Sequence, residues 1–511
     1  MIKNFKWVVL VSLTFMACTN DDTTTTGETP VTAGTADFSK YVALGDSFAA
    51  GYSDGALFKK GQENSYPNLL AQQFAAAGGG VFSSPFMAVD NVGGFSSGGT
   101  QVVSQRLYLE SSSGTPTPTL VPGVSANTLT ERLTGTFNNM GIPGAKSFHL
   151  LFNGYAPLNP YFKRMASSTT ATVLGDALAQ NPTFFSLWIG GNDELGYATN
   201  GGVPTSQDAV NGNDLTPPAT FTAAYNTLAS QLSANGRKGV VANLPYVTAL
   251  PYFTAVPYNP LTASILGGGN TATGVATINA LNTQLYGPLQ AALNAVGGTG
   301  RINLLSTTAA NPLLIKDESL TNLSAQLTAA FTPSLGAALA GAYGAIFGQA
   351  RQATAADLVL LPTQGAIGAA PTATDSGLGV APAAPLNKFG ITFPLQDKHV
   401  LIPTEIAEIR AATDSYNTTI QAAAIANNLA FVDTKSVMEQ LSTTGINFNT
   451  YNMTSTYVTG GSFSLDGVHP SARGYALITN MFIDAINAKY GSTLKKKDGR
   501  DFQILYPKVI N

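Results

Sequence analysis

Cysteine is nearly absent: Cys18 is the only one in 511 residues, which excludes an intramolecular disulfide and any site built on paired thiolates. Histidine is almost as scarce, with His149, His399 and His469 widely separated along the chain. No His-Glu-x-x-His helix occurs, so a zinc or di-iron cage has no ligand set, and neither a metal nor a cofactor is implied. Charge is thin as well, at 11% Asp, Glu, Lys and Arg against roughly 25% in ordinary soluble domains. So bland a surface fits an exported protein. A net charge of -3, with one short basic run, Lys495-Lys496-Lys497, closed by Asp498, leaves no electrostatic footprint for nucleic acid. That run reads as part of a solvated C-terminal tail, residues 491–511. No glycine-rich phosphate or dinucleotide loop follows a strand in the required context.

What the N-terminus does contain is an address. Lys3 and Lys6 precede a short apolar run, Trp7 to Met16, far below the ~20 residues that a membrane span takes. Phe15-Met16-Ala17-Cys18 resembles a bacterial lipobox, in which the cysteine is acylated and becomes the new N-terminus. A lone thiol in an exported protein is consistent with that use. Asp21 and Asp22 resemble the surface-export signal of Bacteroidetes lipoproteins. The expectation is a signal peptide over 1–18, acylated at Cys18, and an outer-membrane lipid anchor. Residues 19–36, rich in Thr, Gly, Pro and Asp with little to bury, read as a disordered tether.

Beyond it, continuous apolar runs alternate with helical patterns. Tyr41 to Leu44, Phe184 to Ile189, Gly239 to Leu244 and Leu429 to Val432 read as strands. Tyr66 to Ala77, about 404–427 and about 471–489 carry apolar residues at helical spacing. Runs of this kind predict a parallel sheet covered by helices on both faces, with a ligand site beyond the carboxyl ends of the strands. Residues 82–140 are Gly/Ser-rich and predict long loops near that site. Residues 251–394 change character, to Ala, Gly, Thr and Leu with few charges, and predict an insertion containing a helical hairpin over 319–351. The main domain is therefore 37–250 together with 395–490.

Two motifs carry chemistry. Gly45-Asp46-Ser47 places a hydroxyl at the end of the first strand, where a nucleophile is well presented. Asp466-Gly467-Val468-His469 places a carboxylate and an imidazole three residues apart, close enough to share one turn. Nucleophile, base and orienting acid are the parts of a serine hydrolase. Each motif alone is also an ordinary turn. Gly94-Phe95-Ser96-Ser97-Gly98 matches a nucleophile elbow, but neither a buried strand before it nor a helix after it is apparent. His149 and His399 are rival bases without an acid at that spacing.

Taken in order, Gly45-Asp46-Ser47, Asn139-Met140-Gly141-Ile142-Pro143-Gly144, Gly190-Gly191-Asn192-Asp193 and Asp466-Gly467-Val468-His469 resemble the four sequence blocks of the SGNH (GDSL) hydrolase family. The resemblance extends to Asn64-Ser65-Tyr66-Pro67 and Val241-Ala242-Asn243-Leu244-Pro245. It implies a flavodoxin-like three-layer α/β/α sandwich with a parallel sheet, here carrying a large, mostly helical insertion. It implies Ser47 as nucleophile, His469 as base and Asp466 as orienting acid. It also implies an oxyanion hole from the N–H groups of Ser47 and Gly144 and the side-chain amide of Asn192. Phe48 departs from the leucine found in many members. The activity implied is ester hydrolysis through an acyl-enzyme, of a carboxylesterase or lipase type, on a small-molecule, lipid or acylated-glycan ester. A glycan O-acetyl esterase and a non-catalytic surface-binding lipoprotein are the alternatives. On this reading the apolar insertion is either a wall for an acyl chain or a packed decoration.

Overall fold

The computed structural model describes residues 30–112, 114, 116–205 and 212–510; the signal peptide expected over 1–18, with Cys18, lies outside the described residues. Each apolar run identified above forms a strand, joined by a fifth that the pattern did not reveal. The strands are β1 (Tyr41–Gly45), β2 (Asn139–Gly141), β3 (Phe184–Trp188), β4 (Lys238–Ala242) and β5 (Ala430–Val432). All pair in parallel in the order β2-β1-β3-β4-β5. β1 and β3 are buried along their whole length, as strands covered on both faces must be.

The helices that matter to the site are α1 (Ser47–Ala50), α2 (Tyr66–Ala75), α3 (Asn192–Thr199), α4 (Pro218–Ser233), α5 (Ser324–Phe347), α6 (Pro403–Ala426), α7 (Thr434–Thr443) and α8 (Ala472–Tyr490). On one face of the sheet α2 packs against α8, with Phe184 of β3 meeting Phe74 and Tyr490, and Trp188 meeting Tyr66 and Phe482. On the other face α4 pairs with α6, and Phe221 stacks on Tyr416 at 4.2 Å. Alternation along β3 explains the division, because successive side chains of a strand point to opposite faces.

Residues 256–402 enclose an apolar core of their own, including Leu285, Leu289, Leu314, Leu327, Phe347 and Phe393. The helical hairpin expected over 319–351 is present as α5, which breaks at Gly336 (φ 74°) just after Pro333. Its two arms fold back on each other, so that Phe331 meets Tyr343 at 5.0 Å and Leu323 N–H donates to the Gly348 carbonyl. By total length and composition α5 is apolar enough to cross a membrane, but the break at Gly336 leaves neither arm with the ~20 residues required.

Three expectations need correction. Residues 30–36, placed in the tether by composition, lie against the end of α8: Thr35 N–H donates to the Tyr490 carbonyl and Thr493 Oγ1 to the Pro30 carbonyl. The tail is not solvated throughout. Tyr506 is buried against Phe58, the carbonyls of Pro507 and Lys508 accept from the buried Arg106, and Lys497 bonds Gln72. Arginine's fixed fork of donors can hold several carbonyls at once, which is how a charge-poor tail becomes anchored. Finally, 82–140 is not loop throughout, because it contains antiparallel ladders pairing 95–97 with 100–103 and 107–110 with 117–120.

Candidate active site

β1 ends at Gly45, and Asp46 turns the chain into α1, its carboxylate accepting from Phe48 N–H at 3.0 Å. An aspartate capping a helix start in this way satisfies a donor that would otherwise be orphaned. Ser47, the first residue of α1, is thereby fixed at the carboxyl edge of the sheet. Its partner arrives from 422 positions further on: Ser47 Oγ and His469 Nε2 lie 2.8 Å apart. His469 Nδ1 and Asp466 Oδ2 are also 2.8 Å apart.

The two segments are stitched together chiefly by backbone groups. Ser53 Oγ donates to the Pro470 carbonyl, Asp54 N–H to Ser464 Oγ, Leu465 N–H to Asp54 Oδ1, and Gly55 N–H to Asp466 Oδ2. Asp466 Oδ1 accepts further bonds from the N–H groups of Val468 and His469. Burial alone would raise the Asp466 carboxyl, but the His469 charge and these donors outweigh it and hold the group at about 2. Asp466 is therefore an anion at any pH near neutrality. Residues of the 251–394 segment touch this turn: Tyr252 N–H donates to the Gly467 carbonyl at 2.9 Å, and Leu361 packs beside Gly467.

Gly144 and Asn192 come to the same edge from β2 and β3. Gly144 has φ of 81° and is exposed, with open space where a Cβ would sit. Backbone conformation, rather than crowding, is therefore what calls for glycine there. Neither Ser47 N–H nor Gly144 N–H is bonded to a protein acceptor. Asn192 Nδ2 donates to the Ala145 carbonyl at 3.1 Å, which uses one of its two N–H bonds and leaves the other. The following residue fixes this arrangement: the buried Asp193 accepts from Ser147 N–H and Ser147 Oγ, tying the loop after β2 to the start of α3. Burial raises Asp193 to about 6 despite those donors.

The rival residues are engaged elsewhere, and the side-chain partner of Ser47 Oγ is His469. Ser96 is buried in a short hairpin strand and donates to the Asn127 carbonyl. His149 Nδ1 accepts from Lys146 N–H, and its ring stacks on Tyr155. His399 Nδ1 accepts from Gln396 N–H, and burial lowers the imidazole to about 4. Gly55, Ser464 and Asp193 in this network had been given no role by the sequence. Only Asp193, inside the Gly-Gly-Asn-Asp block, lay within a recognisable motif. Among the described residues no group of three or more His, Cys, Asp or Glu side chains is arranged to hold a metal ion.

Chemically, the arrangement presents a hydroxyl beside an imidazole whose far nitrogen faces a fixed anion, with unpaired N–H donors nearby. A family model described as GDSL-like Lipase/Acylhydrolase matches residues 314–482. That span takes in β5, Asp466 and His469, together with part of the region read as an insertion, and leaves Ser47, Gly144 and Asn192 outside it. Neither the curated proteins nor the solved structures contain a match to the chain.

Proposed function

We propose that this chain, which belongs to the SGNH (GDSL) hydrolase family, hydrolyses carboxylic esters by a Ser47-His469-Asp466 relay. The observation that carries the reading is the continuous line from Ser47 Oγ through His469 to Asp466, with both contacts at 2.8 Å. Ser47 Oγ attacks the ester carbonyl carbon while its proton passes to His469 Nε2. Asp466, accepting from Nδ1–H, fixes the tautomer and stabilises the imidazolium that forms. The carbonyl oxygen, now an anion, is held by the N–H groups of Ser47 and Gly144 and by Asn192 Nδ2. Collapse expels the alkoxide, which takes from His469 Nε2 the proton that Ser47 gave up and leaves as the alcohol. Water, deprotonated by the same histidine, then attacks the acyl-serine to release the acid and restore Ser47.

The strand order, numbered along the chain, is 2-1-3-4-5, the order of flavodoxin-like sheets. With helices on both faces, this supports a three-layer hydrolase domain, and the separate apolar core of residues 256–402 supports 251–394 as an insertion in it. Cys18 in its lipobox-like setting supports export and a lipid anchor to the outer membrane.

Labelling by a fluorophosphonate probe, together with hydrolysis of p-nitrophenyl acetate, tests the reading. Ser47→Ala is expected to abolish both while the thermal transition stays in place, since the change removes the attacking oxygen and adds no bulk. Ser96→Ala is expected to retain both. A dead Ser96→Ala enzyme beside an active Ser47→Ala enzyme would refute the assignment.

A further inference from the structure

Against the chain neighbours of the triad lies a cavity of about 80 Å³ whose wall is almost wholly apolar. At its near end it is bounded by Phe48, Gly191 and Val468, the chain neighbours of Ser47, of Asn192 and of His469. The Phe48 ring bridges His469, at 5.4 Å, and Trp188, at 5.0 Å. From there the cavity continues between α7 and α8, where Met438, Leu441 and Met481 form its walls. Asp46 is the one ionisable side chain in the wall, and burial raises it to about 7. No wall residue comes from 251–394.

Resting on the esterase reading, we propose that this cavity receives the acyl group of the substrate, and that residues of α7 and α8, not the insertion, set its length. The alternative occupants fit poorly. A sugar needs polar partners for its hydroxyls, and the wall offers only Asp46, Thr434, Ser462 and Trp188, the last with its indole N–H already donated to the Asn243 carbonyl, which leaves most hydroxyls unpaired at a cost. A hydrocarbon tail loses nothing there. An apolar cavity of ~150 Å³ stays dry and holds a benzene, so the volume here suits roughly two to four carbons beyond the carbonyl. The methionines are the adaptable part of the wall, being unbranched and able to change rotamer as a chain enters.

A series of p-nitrophenyl esters from acetate to dodecanoate tests the proposal. Wild-type kcat/KM is expected to climb by up to about fourfold per methylene, the limit set by burying one methylene group, to a maximum at butanoate or hexanoate, and then to fall. Leu441→Ala, which removes bulk between the two helices, is expected to move the maximum out by two or more carbons. Met438→Phe, which fills the cavity, is expected to lower the hexanoate-to-acetate ratio of kcat/KM at least tenfold. Leu339→Ser, on the exposed tip of the α5 hairpin, is the control and is expected to leave the profile unchanged. If Met438→Phe does not fold, the wild-type and Leu441→Ala profiles still decide. A wild-type preference for acetate that neither cavity variant shifts, in protein that labels with fluorophosphonate, overturns the acyl assignment while leaving the esterase reading intact. A profile moved by Leu339→Ser overturns it in favour of the insertion. Absence of both labelling and turnover removes the esterase reading, and the acyl assignment with it.

Discussion

At the scale of single residues, the side-chain amide of Asn192 is the most exposed test of the electrostatic half of the mechanism. Its hydrogen bond is to the Ala145 carbonyl rather than to Ser47 or His469, and an amide takes no proton, so its contribution is confined to the developing oxyanion. Asn192→Ala is expected to lower kcat by about 10²–10³, the cost of one such donor, with KM nearly unchanged and the thermal transition undisturbed. A KM rise with kcat intact would mean that Asn192 binds the ground state instead. The groups with local signatures were legible in the sequence: a carboxylate three residues before an imidazole, and a serine where an apolar run stops. Gly144 and Asn192 became candidates only through family resemblance, because a glycine and an asparagine in a turn have ordinary uses. The donors that hold Asp466 were beyond reach. The Gly55 N–H bond crosses 411 positions, and nothing about a backbone amide advertises its partner.

At the scale of elements, the stitching of residues 52–55 to 464–470 makes a prediction about pH. Asp54 sits in that seam with Oδ1 bonded to Leu465 N–H and Oδ2 buried without a partner. Burial raises it from an ordinary 3.8 to about 7. Between these values the folded protein holds a proton that the unfolded chain has lost, so stability falls as pH rises through the interval and levels off above it. Asp46, at about 7, and Asp193, at about 6, act with the same sign. Asp466, held at about 2, acts with the opposite sign, and its contribution is lost only as pH falls from about 4 towards 2. His399, lowered to about 4, opposes the raised aspartates between about pH 4 and 6.5, but Glu405, raised by burial, adds to them, so Tm is expected to decline from about pH 5 towards pH 8. Asp54→Asn keeps the acceptor for Leu465, suits the positive φ of 52° at this position and removes the buried charge. It is expected to raise Tm at pH 8 by about 2–4 °C and to flatten the slope. A wild-type Tm independent of pH between 5 and 8 would contradict this account. The same seam shows why element boundaries were only partly legible: β2 is three residues long and shows no apolar run, so its pairing with β1 could not be seen from periodicity.

At the scale of the whole molecule, parallel topology separates the N-terminal end of the described chain from the chemistry. The strands deliver Ser47 and Asn192 to the carboxyl edge of the sheet. α8 starts just after His469 and runs back for 19 residues, about 28 Å at 1.5 Å per residue. It ends at Tyr490, whose hydroxyl bonds Gly239 near the amino end of β4. Residues 30–36 are held there through Thr35, which bonds both Tyr490 and Lys238. The chain leading back to Cys18 therefore departs from the edge opposite the triad. If Cys18 carries the lipid, as proposed, the active site faces away from the membrane that anchors it. Residues 19–29 add a reach of at most about 40 Å from the bilayer. Anchoring should then not obstruct access from solution. The expected result is that kcat/KM for a soluble p-nitrophenyl ester agrees within about twofold between acylated protein in vesicles and a form lacking residues 1–29. A loss of about tenfold or more on anchoring would show that the site faces the bilayer, and the inferred orientation would then be wrong even with the triad correctly assigned.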